Sequence, residues 1–245
     1  MKAISFDTPK RIEYLPFQVK VAREDVLPRV VQLRAAAYGH HLPELGARLA
    51  TAESADYEAG CLVICATSRM DDEVLGSMRI HTNAHRPLPL ESSLELPEHY
   101  TGLRLCEATR LSVGRSPNSS VVRNALFKAF YLFTMQQEID WMVVTGRSPV
   151  DRIYDGLLFE DVLEKNTFYP MHHVANLPHR VMSFAPSEAQ ALWKAKEHPL
   201  YRFVFETHHP DIDVTHESVF HPESFIASLP PMHHQPERRH AFPFI

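Results

Sequence analysis

The chain has 245 residues, a formal net charge of −5 at pH 7 and 44% hydrophobic residues, a composition typical of a globular protein with a sizeable core. Its 8 glycines are dispersed, with no G-x-G and no G-x-x-x-x-G-K-[ST], which argues against a Rossmann dinucleotide fingerprint and a Walker phosphate loop. The negative charge argues against broad nucleic-acid binding, which depends on many phosphate-neutralising cations.

No segment has the pattern of a membrane span or of an export signal. The longest strongly apolar run, Cys61 to Ala66, is far shorter than a bilayer requires, and the N-terminus MKAISFDTPKRIEY has no apolar signal core. The three cysteines, Cys61, Cys65 and Cys106, form neither an even disulfide framework nor a C-x-x-C zinc pair. We therefore expect a cytoplasmic protein in a reducing compartment.

The first third of the chain shows one strand, one long helix and a hairpin. Apolar and polar residues alternate over 17–21, as in a half-buried strand, and apolar residues recur with helical spacing over 24–38. Residues 61–68 and 73–82 are rich in strand-forming residues and flank a turn, which predicts a β-hairpin. The other predictions here are an irregular lead-in over 1–16 and a short helix over 44–50.

A long excursion with prolines at 87, 89 and 97 follows the hairpin and precedes further alternating strands and helices. Strands are predicted over 103–113, 141–145, 167–173 and 180–184, and helices over 121–138, 149–159 and 187–197. This order predicts a mixed α/β sheet with helices on its faces, in one domain over 17–198. Residues 199–245 are rich in Pro and His, and we expect a C-terminal extension that packs loosely or is partly disordered.

Four short segments occur in a characteristic order, and about residues 17–185 resemble the GNAT acyltransferase superfamily through them. The segments are Arg34-A-A-A-Tyr38, Gly76-S-M-Arg79, Glu107-A-T-Arg110 and Tyr154-D-G-L-L-Phe159. Within the superfamily, the chain looks most like the N-acyl amino acid synthases and the acyl-homoserine lactone synthases. The resemblance implies a mostly antiparallel GNAT-type sheet and an enzyme that joins an amine to a fatty acyl group held as a thioester on acyl carrier protein.

Two residues are candidates for proton transfer. A primary α-amine has a pKa of about 7.7–8.0, so a weak base suffices to keep it neutral. The resemblance implies that Glu107 receives the amine proton, directly or through water, and that Tyr154 protonates the departing thiolate. The alternatives are ion pairing of Glu107 with Arg110 and plain core packing of Tyr154, because Leu158 stands where those enzymes usually have Gly.

The placement of Glu107 relative to Arg110 depends on the shape of their strand. Residues three apart point to opposite faces of a strand unless a bulge intervenes. The resemblance implies such a bulge, which would also free backbone groups for the pantetheine arm of the donor.

Four arginines are candidates for binding the acceptor. A guanidinium holds a carboxylate through two parallel hydrogen bonds, and Arg79, on a strand beside the predicted active strand, is the best placed for this. Arg104 and Arg110 are further candidates, and the resemblance places Arg34 in a region over the site. Exposed arginines are common, so roles outside the site stay open.

The turn before the helix at 121 carries the candidate donor site, formed by Val113, Arg115, Ser119 and Ser120. Relatives that use coenzyme A have a glycine-rich pyrophosphate loop here, whereas this chain has the single glycine Gly114 and a proline. A helix N-terminus still attracts anions, and one phosphodiester needs less than a pyrophosphate cradle. This favours acyl carrier protein over coenzyme A, and the alternative is a simple serine cap.

A basic patch for an acidic carrier protein is predicted beside this turn. Its members are Arg115, Arg123, Lys128, Arg147 and Arg152. A scatter of solvated charges accounts for them equally well.

The 16 histidines include four adjacent pairs, at 40–41, 172–173, 208–209 and 233–234. None has the H-E-x-x-H spacing of a zinc site, so we expect no bound metal and no redox cofactor. Cys106 has no His partner placed by sequence, which favours direct attack by the amine over an acyl-enzyme. Three rival functions remain: a coenzyme-A-dependent N-acetyltransferase, an inactive ligand-binding module and metal storage.

Overall fold

A computed structural model of the chain describes residues 11–214, which form eleven strands and five α-helices. The helices are α1 (Leu27–Gly39), α2 (Pro43–Arg48), α3 (Ser119–Gln136), α4 (Asp151–Gly156) and α5 (Ala189–Ala195). The strands are β1 (Arg11–Ile12), β2 (Phe17–Val21), β3 (Cys61–Ser68), β4 (Val74–Thr82), β5 (Leu105–Val113), β6 (Trp141–Gly146), β7 (Glu160–Asp161), β8 (Tyr169–Met171), β9 (Leu177–Phe184), β10 (Thr207–His208) and β11 (Ile212–Asp213).

One large sheet dominates the fold, with the strand order β11-β2-β3-β4-β5-β6-β9-β7. Neighbours from β2 to β5 are antiparallel, as are β6, β9 and β7, while β5 pairs in parallel with β6 and β11 with β2. The predicted mixed, mostly antiparallel GNAT-type sheet flanked by helices is confirmed.

Strand alternation assigns the two faces of the sheet to different helices. Leu62, Ile64 and Ala66 of β3 lie in the main core, which the apolar side of α3 covers. Val63 and Cys65 point to the opposite face, where they pack against the apolar side of α1. Because both faces are covered, β3 is apolar almost throughout.

On β4 and β5 the same alternation places charged groups inside the protein. Met78, Ile80, Cys106 and Ala108 belong to the core under α3. The opposite face carries Arg79, His81, Glu107 and Thr109, each no more than 7% exposed. Buried polar side chains in this number are costly unless paired, and they mark this face as the site.

The region around α4 is shorter and more irregular than predicted. The helix covers Asp151–Gly156 instead of 149–159, and Leu158 adopts a left-handed backbone conformation with φ +66°. This conformation favours glycine, the residue that the resembling enzymes usually have at this point. The predicted strand over 167–173 also ends early, since His172–Val174 form a 3₁₀ turn.

The predicted boundary at residue 198 needs correction, because residues 199–214 are part of the domain. After a π-helical turn (Arg202–Glu206), β10 pairs with β1 and β11 adds an edge strand beside β2. The Lys128 ammonium donates to the backbone oxygens of Phe203 and Thr207, and His209 lies 2.9 Å away. Residues 11–16 join the domain through the pairing of β1 with β10 and the hydrogen bond from Leu15 N to Asp211 Oδ2. Residues 1–10 and 215–245 lie outside the described part.

Candidate active site

A cleft opens in the sheet where β5 and β6 separate. Their parallel pairing ends at Ala108 opposite Val144, although β5 continues to Val113. The register between β4 and β5 shifts by one residue in the same region, and Arg110 has a left-handed φ of +54°. The expected bulge is therefore confirmed, and it turns Arg110 towards the face that carries Glu107.

A cavity of about 370 Å³ occupies this cleft. It is lined by the end of α1, the edge of β5 from 108 to 113 and the loop 147–150. Tyr154, the turn at 173–174 and the first residues of β9 complete the lining. Most of this lining is apolar, and the unpaired edge of β5 contributes backbone polar groups. The cavity thus suits an extended ligand with an apolar part and amide groups.

Three of the four predicted acceptor-binding arginines meet in one buried cluster with two acids. Arg34 donates to both oxygens of Asp56, at 2.9 and 3.0 Å. Arg110 donates to both oxygens of Glu53, at 2.8 and 2.7 Å. Arg79 joins the two pairs, since its Nη1 lies 3.0 Å from Glu53 and 3.1 Å from Asp56.

The charges of this cluster do not cancel, because three guanidinium groups face two carboxylates. Burial opposes ionisation of Glu53, yet the hydrogen bonds and charge of Arg110, with Arg79 and Arg34, lower its pKa to about 2. Nη1 of Arg110 is buried and has no hydrogen-bond partner among the described residues, and Arg110 lines the cavity. The cluster therefore holds two unused buried donors, Arg110 Nη1 and Arg34 Nε, and an excess positive charge beside the cavity.

Glu53 and Asp56 are site residues that the sequence reasoning missed. They lie in the polar segment between α2 and β3, which was predicted as a loop with a short helix. Acidic residues three positions apart are common on protein surfaces, so the sequence does not single out this pair. Only their contacts with the arginines in the folded chain identify them as site residues.

Glu107 lies behind the cavity wall. Its side chain is fully buried and Oε2 accepts a hydrogen bond from Leu90 N at 2.9 Å, whereas Oε1 has no hydrogen-bond partner within the described part of the chain. Burial raises the pKa of this carboxyl to about 8. His173, also missed as a site residue, lines the cavity with Nε2 3.6 Å from Glu107 Oε1.

Tyr154 packs in the core and also borders the cavity. Its ring packs against Phe127 and Phe159, with centroids 5.9 and 5.7 Å apart, and the residue is 3% exposed. It also lines the cavity, as does Tyr38 at the end of α1. Burial raises the pKa of both phenols above the ordinary value, so each hydroxyl keeps its proton at neutral pH.

Arg104 does not join this group. It lies just before β5, where its guanidinium contacts Glu138 at 3.0 Å and the carbonyl of Gln137 at 3.4 Å, and it does not line the cavity. The structure thus places Arg104 away from the cavity, because it precedes β5 at the end of the strand remote from the bulge.

The predicted donor residues lie between the cavity and the start of α3. Val113 lines the cavity, Arg115 and Ser120 are exposed, and Ser119 is half-buried. Neither serine caps the helix: the cap position is Asn118, whose side chain makes no capping hydrogen bond. Lys128 does not contribute to the predicted basic patch, because its ammonium group is buried against the backbone oxygens of Phe203 and Thr207.

Cys106 is fully buried on the α3 side of the sheet, and burial raises the pKa of its thiol well above the ordinary value. It is therefore not placed to act as a nucleophile in the cavity. Within residues 11–214, no group of three or more His, Cys, Asp or Glu side chains is arranged to hold a metal ion. No helix in the same range is long and apolar enough to cross a membrane.

Residues 29–181 match the family model of the N-acyl amino acid synthase FeeM. The structure of FeeM from uncultured soil microbes is similar, with 14% identity, a TM-score of 0.56, and coverage of 76% of this chain and 97% of that one. BjaI, a CoA-dependent acyl-homoserine lactone synthase solved with MTA, shows 15% identity and a TM-score of 0.52 over 81% of this chain and 96% of that one. No curated protein matches the chain by sequence.

Proposed function

The chain belongs to the N-acyl amino acid synthase FeeM family and is an N-acyltransferase, and we propose that it transfers a fatty acyl group from acyl carrier protein to the amine of an amino acid or related small molecule. The observation that carries this proposal is the cavity between the separated strands β5 and β6, with the bulge at Arg110 on one wall. The unpaired edge of β5 can bind the amides of a pantetheine arm and bring the thioester carbonyl beside the cluster of arginines.

In the proposed reaction, the acceptor amine attacks the thioester carbonyl directly. The new C–N bond forms as the C–S bond breaks, the amine proton moves towards Glu107, and the Tyr154 hydroxyl protonates the leaving thiolate. Tyr154 suits this role since burial keeps its hydroxyl protonated. Backbone N–H groups at the open edge of β5 would stabilise the developing oxyanion.

The excess positive charge of the cluster supports an acceptor with a carboxylate. We assign its binding to the part of the cavity beside Arg110, the arginine of the cluster that lines the cavity. Arg34 and Arg79 hold Asp56 and Glu53 in place, and so shape the acceptor pocket without contacting the solvent.

The preference for a carrier protein is supported by arginines that lie in or within two residues of the segments lining the cavity. Arg115 and Arg152 are exposed, and Arg147 lines the cavity. The uncapped start of α3, with Ser119 and Ser120, would receive the single phosphodiester of a pantetheine arm. The alternative donor is coenzyme A, on which the acyl-homoserine lactone synthase BjaI depends.

The test is a donor comparison with the purified full chain. Acyl carrier protein and coenzyme A thioesters of matched acyl length, from acetyl to long-chain, are each offered with a mixture of amino acids and amines, and products are identified by mass spectrometry. We expect N-acyl amino acids from long-chain acyl carrier protein. A preference for acetyl-coenzyme A would establish the acetyltransferase instead, and ligand-induced thermal shifts without any product would establish a binding module.

A further inference from the structure

A histidine separates the buried carboxyl of Glu107 from the cavity. The side chain of His173 is 14% exposed and lines the cavity, whereas that of Glu107 is fully buried and does not. A proton that leaves an amine in the cavity therefore meets the imidazole before it reaches the carboxyl.

Both side chains have buried polar atoms without a use in the fold. Glu107 Oε1 and His173 Nδ1 have no hydrogen-bond partner among residues 11–214. Leaving such atoms unpaired costs about 1–3 kcal/mol each, so stability does not explain this arrangement. The 3.6 Å between Nε2 and Oε1 is longer than a hydrogen bond, but catalytic contacts commonly tighten when substrates bind.

The backbone around His173 is held on both sides. Arg110 Nη2 donates to the carbonyl of His173 at 3.0 Å, and the N–H of His172 donates to Ser93 Oγ at 2.8 Å. Val174, the next residue, is buried in the apolar cluster of the excursion. The imidazole is thus presented to the cavity from a fixed position, tied directly to the bulge of β5.

We infer that His173 is a further catalytic residue, which takes the proton from the acceptor amine and passes it to Glu107. The inference rests on the proposed N-acyl transfer. As the amine nitrogen bonds to the acyl carbon, its proton moves to the lone pair of His173 Nε2, and the imidazolium then turns this N–H to Glu107 Oε1 and delivers the proton there. The C–S electron pair leaves with the sulfur, which takes the proton of Tyr154, and the products are an amide and a free thiol.

The groups around His173 support this direction of transfer. Burial, with the charges of Arg110 and Arg79 and the neighbouring His179, lowers the pKa of His173 to about 3, while Glu53 opposes the shift. His81 also faces the imidazole and is itself uncharged at neutral pH. His173 is therefore neutral when it accepts the proton, and it does not retain it. Glu107, with a pKa of about 8, retains the proton.

The test compares His173→Gln, His173→Asn and His173→Ala with His172→Gln, a change at the exposed neighbouring histidine. Acylation is followed under single-turnover conditions, with melting temperature and binding of an unreactive donor analogue as checks on the fold. We expect kcat to fall by roughly 100-fold or more in the His173 variants, with KM for the donor unchanged, and free imidazole to restore part of the activity of His173→Ala. His172→Gln should retain the wild-type rate.

A pH profile separates proton transfer from a structural role. With an acceptor analogue whose amine is neutral throughout the range, the wild-type rate should rise with pH along a limb near 8, which belongs to Glu107. His173→Gln should lose that limb. The inference is overturned if any folded His173 variant keeps a third of the wild-type kcat and the limb, or if all three variants fail to fold, which would assign a structural role. Absence of any N-acyl product from the wild type would instead reject the proposed function.

Discussion

Arg110 and Glu53 face each other as a bidentate pair, with Nε donating to Oε2 at 2.8 Å and Nη2 to Oε1 at 2.7 Å. The pair ties the bulge of β5 to the segment between α2 and β3, 57 residues earlier in the chain. Since Arg110 also holds the carbonyl of His173, one guanidinium connects three separate parts of the site.

Removing the carboxylate of this pair should destabilise the protein. In Glu53→Gln, three buried guanidinium groups keep only Asp56 as an acidic partner, and we expect the free energy of unfolding to fall by about 2–4 kcal/mol, allowing for the partial exposure of Glu53. Chemical denaturation measures this loss. Glu58→Gln is the control, because Glu58 has a single ion-pair partner within residues 11–214, Arg86 at 2.6 Å, whose side chain is 49% exposed, and this pair should contribute no more than about 1 kcal/mol. Equal losses in the two variants would contradict the prediction.

The same carboxyl should make stability depend on acid pH. Its folded-state pKa of about 2 lies below the ordinary value of 4.5, so its contribution is complete above pH 4.5 and is lost as the pH falls towards 2. We expect the melting temperature to decrease through this window, and to decrease less steeply in Glu53→Gln. Parallel curves for the two proteins would show that another group is responsible.

The corner between α1 and α2 should not tolerate a methyl group at Gly46. A Cβ there would lie 2.3 Å from Gly39 Cα and 2.9 Å from the carbonyl oxygen of Ala35, both backbone atoms. Gly46→Ala should therefore push α2 away from α1 and disturb Tyr38 and Leu45 at the cavity. Gly39→Ala is the matched control, since its Cβ would meet Gly46 at an ordinary 3.6 Å. Melting temperature and donor KM should worsen only in Gly46→Ala, and unchanged values in both variants would contradict the close packing.

Tyr154→Phe tests the proposed acid. Loss of the hydroxyl should lower kcat by about 100-fold with an alkyl thioester, and by much less with an aryl thioester, whose thiolate leaves without a proton. Tyr131→Phe is a control in a partly buried phenol, which lies against Phe205 and does not line this cavity. If Tyr154→Phe slows both donors equally, the ring acts through packing and not as an acid.

Charge reversal at the entrance tests the carrier-protein preference. Arg115→Glu and Arg152→Glu should raise KM for acyl carrier protein about tenfold at low salt and leave KM for a short acyl-pantetheine nearly unchanged. Arg23→Glu is the control. Arg23 precedes the first residue of α1, whereas the cavity lies at the last turn of that helix, and its side chain is 88% exposed. An equal effect on both donors would place these arginines in the chemistry of the cavity rather than at a docking surface.

The local pattern of apolar and polar residues was sufficient to predict most of the strands and helices. The predicted hairpin, the long helix before residue 138 and the strand before residue 113 all occur within two residues of the predicted ends. The segment 199–214 was mispredicted because its short strands have no periodicity of their own, and they form only by pairing with β1 and β2. Lys128 was misassigned for the same reason, since its partners come from that segment.

The sequence by itself determined the alternation that covers both faces of β3 and leaves Arg79 and Glu107 on one face of the sheet, because side-chain direction in a strand depends only on position. Tertiary structure alone decided that Glu53 and Asp56 pair with Arg34, Arg79 and Arg110 and that His173 lies between Glu107 and the cavity. These contacts join residues 57 and 66 positions apart in the chain, and no local periodicity encodes which distant side chains will meet when strands, bulge and excursion pack together.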